Sequence, residues 1–204
     1  VTNIISGVDN LDSTTVDREE NYTIQTDMSS IAGKKFGVIK EYMSDGIDPE
    51  VKNQIQAAIV KIKNAGGIID EISLPSLSLS LAVYYILVPA EISSNLSRYD
   101  GQRYGYSDNG AHDLDSSYVL SRTNGFGTEA KRRIMIGTHV LSSGYYDAYY
   151  RKAQLVRTKI INEFNAAFLK FDFLVGPTAP STAFKLGENT SDPLQMYLSD
   201  VMTV

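Results

Sequence analysis

The chain has 204 residues, 43% of them apolar, enough for one ordinary core or for one large piece of a bigger domain, so disorder is excluded as the default. A net charge of -5 and a pI near 5.0, with no Lys/Arg run longer than three, leave a stand-alone nucleic-acid-binding role without electrostatic support. The absence of cysteine excludes disulfides, thiolate metal sites and a cysteine nucleophile within the chain, and agrees with a reducing, cytoplasmic compartment.

Residues 1–32 are polar and rich in turn formers after a short apolar opening, and read as an extended connection across a surface. The chain opens on Val1 rather than methionine, which reads as a trimmed chain, and its start lacks the charged-then-apolar plan of a signal peptide. "KKFGVIKEY" (34–42) has the short, β-rich composition of a buried strand. The helix that follows is well marked: Asp48 as N-cap, Pro49 in the first turn, Val51, Ile55, Ala58 and Ile62 on one face, and Gly66–Gly67 as stop. "IIDEISLP" (68–75) returns as a strand, so the segment predicts a βαβ crossover and an α/β fold with a parallel or mixed sheet.

The run from Ala82 to Asn95 carries an unbroken apolar face and predicts a helix from about Ser80, with Pro89 as a kink. The longest apolar stretches, around Leu79–Ala90 and Phe171–Val175, read as too short to span a membrane. Residues 101–127, rich in Gly, Asp, Ser and Tyr, read as a long loop. Two helices are expected next, over 128–143 and 145–170, the second with Tyr149, Ala153, Val156, Ile160, Phe164 and Ala167 at helical spacing. "FDFLVGPTAP" (171–180) reads as a buried strand, and "DPLQMYLSDVMTV" (192–204) as a helix capped by Asp192.

The helix over 128–143 holds three consecutive cations, Lys131, Arg132 and Arg133. With Thr128 as N-cap and Glu129 at the positive end, Ala130, Ile134, Gly137 and Leu141 form an apolar stripe at about 100° per residue. Arg132 then points away from the stripe and Lys131 to a flank, whereas Arg133 lies beside it, near Val140. A guanidinium aimed inward needs a carboxylate, supplied either by an internal salt bridge or by a ligand gripped with paired hydrogen bonds. Asp200 poses the matching question. It falls off the face made by Leu194, Tyr197, Leu198 and Val201, near a helix C-terminus that disfavours it, and is either a solvated flank residue or an anchor for an ammonium group.

Complete catalytic motifs are missing: no G-x-S-x-G elbow, H-E-x-x-H, Walker loop or G-x-G-x-x-G. His112 falls in the polar loop and His139 on the outward side of its helix. "LSSG" (141–144) reads as a helix terminus, and the tyrosines at 84–85 and 145–150 as core and rim residues of two helices.

The stretches "GFGTEAKRRIMIGTHVLSSGYYDAYYRKAQLVRTKI", "FDFLVGPTAPSTAFKLGE" and "DPLQMYLSDVMT" resemble the amidase signature family, and within it the branch serving tRNA-dependent amidotransferases. "NIISGVDNLDSTTVD", "DPEVKNQIQAAIVKIKNAGGIIDEISLP" and "AVYYILVPAEISSNLSRYDGQRYGY" extend the likeness over nearly the whole chain. The resemblance implies a mixed β-sheet wrapped by α-helices, of which residues 1–204 supply the later half as a partial amidase signature domain. It places the family's catalytic lysine, cis-serine and serine nucleophile upstream of "NIISGVDNLDST", so no catalytic residue and no metal ligand is expected here and the chain alone should be inactive. It implies hydrolysis of glutamine through an acyl-serine intermediate. The ammonia then passes to a B subunit that uses ATP and Mg²⁺ to amidate Glu-tRNA(Gln), with a small C subunit clamping the two in a heterotrimer. The residues matching the glutamine-holding set are Tyr84, packing along the substrate, Arg133 on the α-carboxylate, and Asp200 on the α-ammonium. Two alternatives stand beside this one, an amidase of small amides with an apolar pocket and a non-catalytic scaffold. Open sheet edges are expected to drive self-association, measurable by light scattering.

Overall fold

The computed structural model describes residues 2–17, 31–43, 46–187 and 199–203. Three parallel strands, β1 (Lys35–Ile39), β2 (Ile68–Ile72) and β3 (Phe173–Val175), form a sheet in the order β2-β1-β3. Phe36 pairs with Ile69 on one side and with Phe173 on the other. β1 is buried over four of its five positions, as its unbroken apolar run requires. The burial expected of β3 does not hold: Phe173 is 46% exposed, because β2 and β3 each leave one edge unpaired among the described residues.

A short helix, α1 (Thr2–Ile5), and turns closed by the Asp9 and Asp12 side chains replace the simple extended connection expected at the start; residues 18–30 lie outside the described residues. Helix α2 (Pro49–Asn64) joins β1 to β2. Asp48 caps it by accepting the Glu50 N–H at 2.7 Å, and Gly66 (φ +89°) ends it in the left-handed conformation.

The central helix α3 (Ser80–Leu96) continues a 3₁₀ turn over Pro75–Leu79. Together they make 22 residues, long and apolar enough to cross a membrane, which corrects the reading of this stretch as too short. Here α3 packs inside the protein, its Val83 and Leu87 clustering with Ala153. A second cluster joins Ile39, Leu74, Leu77 and Ala167 between sheet and helices. Glu163 ties the 3₁₀ turn down, accepting the Ser76 N–H at 3.0 Å and the Ser76 hydroxyl at 2.6 Å.

The long loop expected over 101–127 contains helix α4 (Leu114–Gly125). Its start is a capping box: Asp113 accepts the Ser116 N–H at 2.7 Å while the Ser116 hydroxyl accepts the Asp113 N–H at 3.1 Å. Few apolar residues mark it, and two of them, Leu114 and Val119, face solvent, so periodicity carries no signal. Helix α5 (Thr128–Leu141) follows with Gly127, not Thr128, as its N-cap.

The helix expected over 145–170 is two pieces, a π-turn over Tyr146–Arg151 and α6 (Lys152–Phe168). The wider π-turn shifts the register, so Tyr149 leaves the Ala153 face and is 45% exposed. Tyr145 and Tyr146 are exposed as well, which leaves them on the rim and not in the core. The helix expected over 192–204 lies mostly outside the described residues, and residues 199–203 form turns.

Candidate substrate-binding site

The site begins with how α5 meets α3. A side chain on Gly137 would lie 1.9 Å from the Pro89 carbonyl oxygen, so only glycine permits this approach. Pro89 has no N–H to donate within the helix, yet α3 runs through it as one helix from Ser80 to Leu96.

The three cations of α5 then separate as the stripe geometry predicts. Arg132 is on the outer face and pairs with Glu129, Lys131 donates to the Thr123 carbonyl, and Arg133 is the less exposed of the two arginines, at 26% against 47%. Arg133 Nε donates to Glu129 Oε1 at 3.2 Å, and its Nη1 donates to the Tyr84 hydroxyl at 3.2 Å. The guanidinium carbon also stands 5.9 Å from the Tyr84 ring centroid. Partial burial works against the Arg133 charge, but the hydrogen bond to Glu129 and the contact with Tyr84 outweigh it and hold its pKa above the ordinary arginine value. Tyr84 is itself steadied by Tyr85, whose ring meets it edge-on at 5.5 Å.

Two cavities flank this pair. One, of about 560 Å³ between α3 and α5, is lined by Val88, Glu91, Asn95, Glu129 and Arg133. The other, of about 320 Å³, is lined by Tyr84, Val88, Arg157, Met202 and Thr203. Asp200 is exposed and begins the turn that supplies Met202 and Thr203, its carbonyl accepting the Thr203 N–H at 3.0 Å. The structure thus brings Tyr84 and Arg133 into contact and sets the Asp200 turn along the cavity wall next to Tyr84, while Asp200 itself does not join their hydrogen-bonded pair.

Two further side chains at the site escape the sequence reading. Glu129 figures there only as a helix-dipole partner, although its i,i+4 spacing to Arg133 signals an ion pair. Arg157, on α6, lines the Tyr84 cavity, and only the tertiary fold brings it there. The histidines remain where the sequence puts them: His139 is exposed and stacks on Tyr145 at 4.2 Å. Ser142 ends α5 by donating to the His139 carbonyl, which leaves "LSSG" a helix terminus.

Compared with known proteins, the chain matches the Amidase family over residues 1–204. It is 53% identical over 203 residues to the A subunit of glutamyl-tRNA(Gln) amidotransferase from Halothermothrix orenii, covering 99% of this chain and 42% of that protein. It is 50% identical over 204 residues to the corresponding subunit from Desulforamulus reducens, again covering 42% of the relative. Among solved structures it is similar to the A subunit of glutamyl-tRNA(Gln) amidotransferase from Thermotoga maritima, with a TM-score of 0.64 and 35% identity, covering 97% of this chain and 38% of that one. The chain therefore spans about 42% of the length of the curated relatives it matches.

Proposed function

The chain belongs to the amidase family, and from that premise we propose that it is the substrate-recognising part of a glutaminase subunit of a tRNA-dependent amidotransferase. In this reading the whole protein hydrolyses glutamine through an acyl-serine intermediate, and the ammonia serves to convert Glu-tRNA(Gln) to Gln-tRNA(Gln). Arg133 grips the α-carboxylate of glutamine with paired N–H donors, Asp200 holds the α-ammonium, and Tyr84 packs along the substrate. The serine nucleophile and its lysine belong to a part of the protein outside residues 1–204. A B subunit using ATP and Mg²⁺ consumes the ammonia, a C subunit holds the heterotrimer together, and the assembly works in the cytoplasm.

The observation that carries this reading is the Arg133–Tyr84 contact beside two cavities, where a cation inside the fold keeps donors available. An amino-acid zwitterion uses an arginine and an aspartate together, whereas a simple aliphatic or aryl amide uses neither.

The test is a glutaminase assay on the full-length protein with wild type and Arg133→Ala. Loss of glutamine turnover, with retained turnover of an amide lacking the α-carboxylate, is the expected outcome. Equal loss on both substrates, with a lowered melting temperature, would return Arg133 to a structural ion pair and reopen the small-amide reading.

A further inference from the structure

We propose that Glu129 is a positioning residue for substrate capture: it pins the Nε edge of Arg133 so that the outer N–H groups of the guanidinium face a substrate carboxylate. The inference rests on the reading that Arg133 binds that carboxylate. It goes further in assigning a role to a residue that meets the fork and not the substrate.

A guanidinium offers five N–H donors in one plane, and two of its edges can each receive a carboxylate. Which edge is left open depends on what holds the other. Glu129, one helical turn back on α5, takes Nε at 3.2 Å. Tyr84, on α3, accepts from Nη1 at 3.2 Å. Anchors on two separate helices fix the plane of the fork, and Nη2 has no hydrogen-bond partner among the described residues. With one Nη1 hydrogen on Tyr84, the second Nη1 hydrogen and those of Nη2 remain for a carboxylate.

Charge points the same way. Glu129 is shared by Arg132 and Arg133, so the three side chains carry two positive charges and one negative. Sharing Glu129 with Arg132 leaves Arg133 without a private counter-ion, while Glu91 adds a second carboxylate to the lining of the same cavity. Arg132, held on the exposed face, also restrains the Glu129 carboxylate and keeps it on the Nε side.

A Glu129 that positions the fork raises the glutamine KM when removed, one that competes with the substrate lowers it, and one that only supports the fold affects all substrates equally; steady-state kinetics on the full-length protein separates them. For Glu129→Ala the KM for glutamine is expected to rise roughly tenfold with kcat within about twofold, the signature of a misplaced binding fork. Turnover of a simple amide lacking the α-carboxylate should stay at the wild-type level. Glu129→Gln keeps the shape and an acceptor oxygen, should recover part of the KM, and gives the answer even where the alanine variant does not fold. An unchanged or lowered KM for glutamine in Glu129→Gln and Glu129→Ala overturns the proposal, as does an equal loss on both substrates. The Arg133→Ala variant keeps the two questions apart: if it leaves kcat/KM for glutamine unchanged, the underlying reading fails; if it lowers kcat/KM and the Glu129 variants do not raise KM, only this inference fails.

Discussion

Ser80 buries a hydroxyl at the first turn of α3 that has no hydrogen-bond partner among the described residues. Such a group is desolvated without compensation, so removing it should not harm the fold. Ser80→Ala is expected to leave the melting temperature unchanged or raise it by an amount equivalent to about 1 kcal/mol, and a clear fall would mean that the hydroxyl has a partner after all. Arg133 behaves in the opposite way, since its inward polarity is met by Glu129 and Tyr84. Its inward direction was legible from the Ala130–Ile134–Gly137–Leu141 stripe alone. Its partners were not: Tyr84 lies 49 residues away on another helix, and no periodicity within α5 points to it.

At the scale of elements, the α3–α5 crossing is the feature that puts the site together. Gly137→Ala would drive a methyl group into the Pro89 carbonyl, with Ser93 Cβ also only 2.7 Å from it, so the helices must separate. The expected cost is about 1–3 kcal/mol in thermal or denaturant unfolding, with loss of glutamine turnover following because Tyr84 and Arg133 no longer meet. A fully stable and active variant would show that the crossing tolerates separation. Elements announced by local chemistry were readable from sequence, as α2 is by Asp48, Pro49 and Gly66. Helix α4 was not, because a capping box between two polar residues does its work within a stretch whose composition reads as loop. The π-turn was hidden too, since one extra residue per turn leaves apolar spacing nearly intact while rotating Tyr149 outward.

Across the molecule, the chain leaving β1 and the chain leaving β2 meet at Glu41. Burial would push its carboxyl up, but the Leu74 N–H at 2.9 Å and the Ser73 hydroxyl outweigh it and hold its pKa below the usual glutamate value. A carboxyl depressed by folding adds stability above its unfolded pKa, and that contribution is lost as pH falls through the folded value. Acid should therefore weaken wild type more than Glu41→Gln, measured as the drop in melting temperature between neutral pH and pH below the carboxylate range. Equal drops in the two proteins would remove Glu41 from the account. The same link between β1 and the start of the 3₁₀ turn carries the architecture from sheet to site, because α3 and Tyr84 follow directly from it.

The contact between Arg133 and Tyr84 also has an optical consequence. The chain has thirteen tyrosines and no tryptophan, so its near-ultraviolet absorption is dominated by phenols. A carboxylate arriving at the guanidinium changes the field at the Tyr84 hydroxyl, which accepts from that cation, and the phenol's absorption responds. On the proposed reading, occupancy of Arg133 by substrate is thereby written into a difference spectrum, read without a label and without turnover.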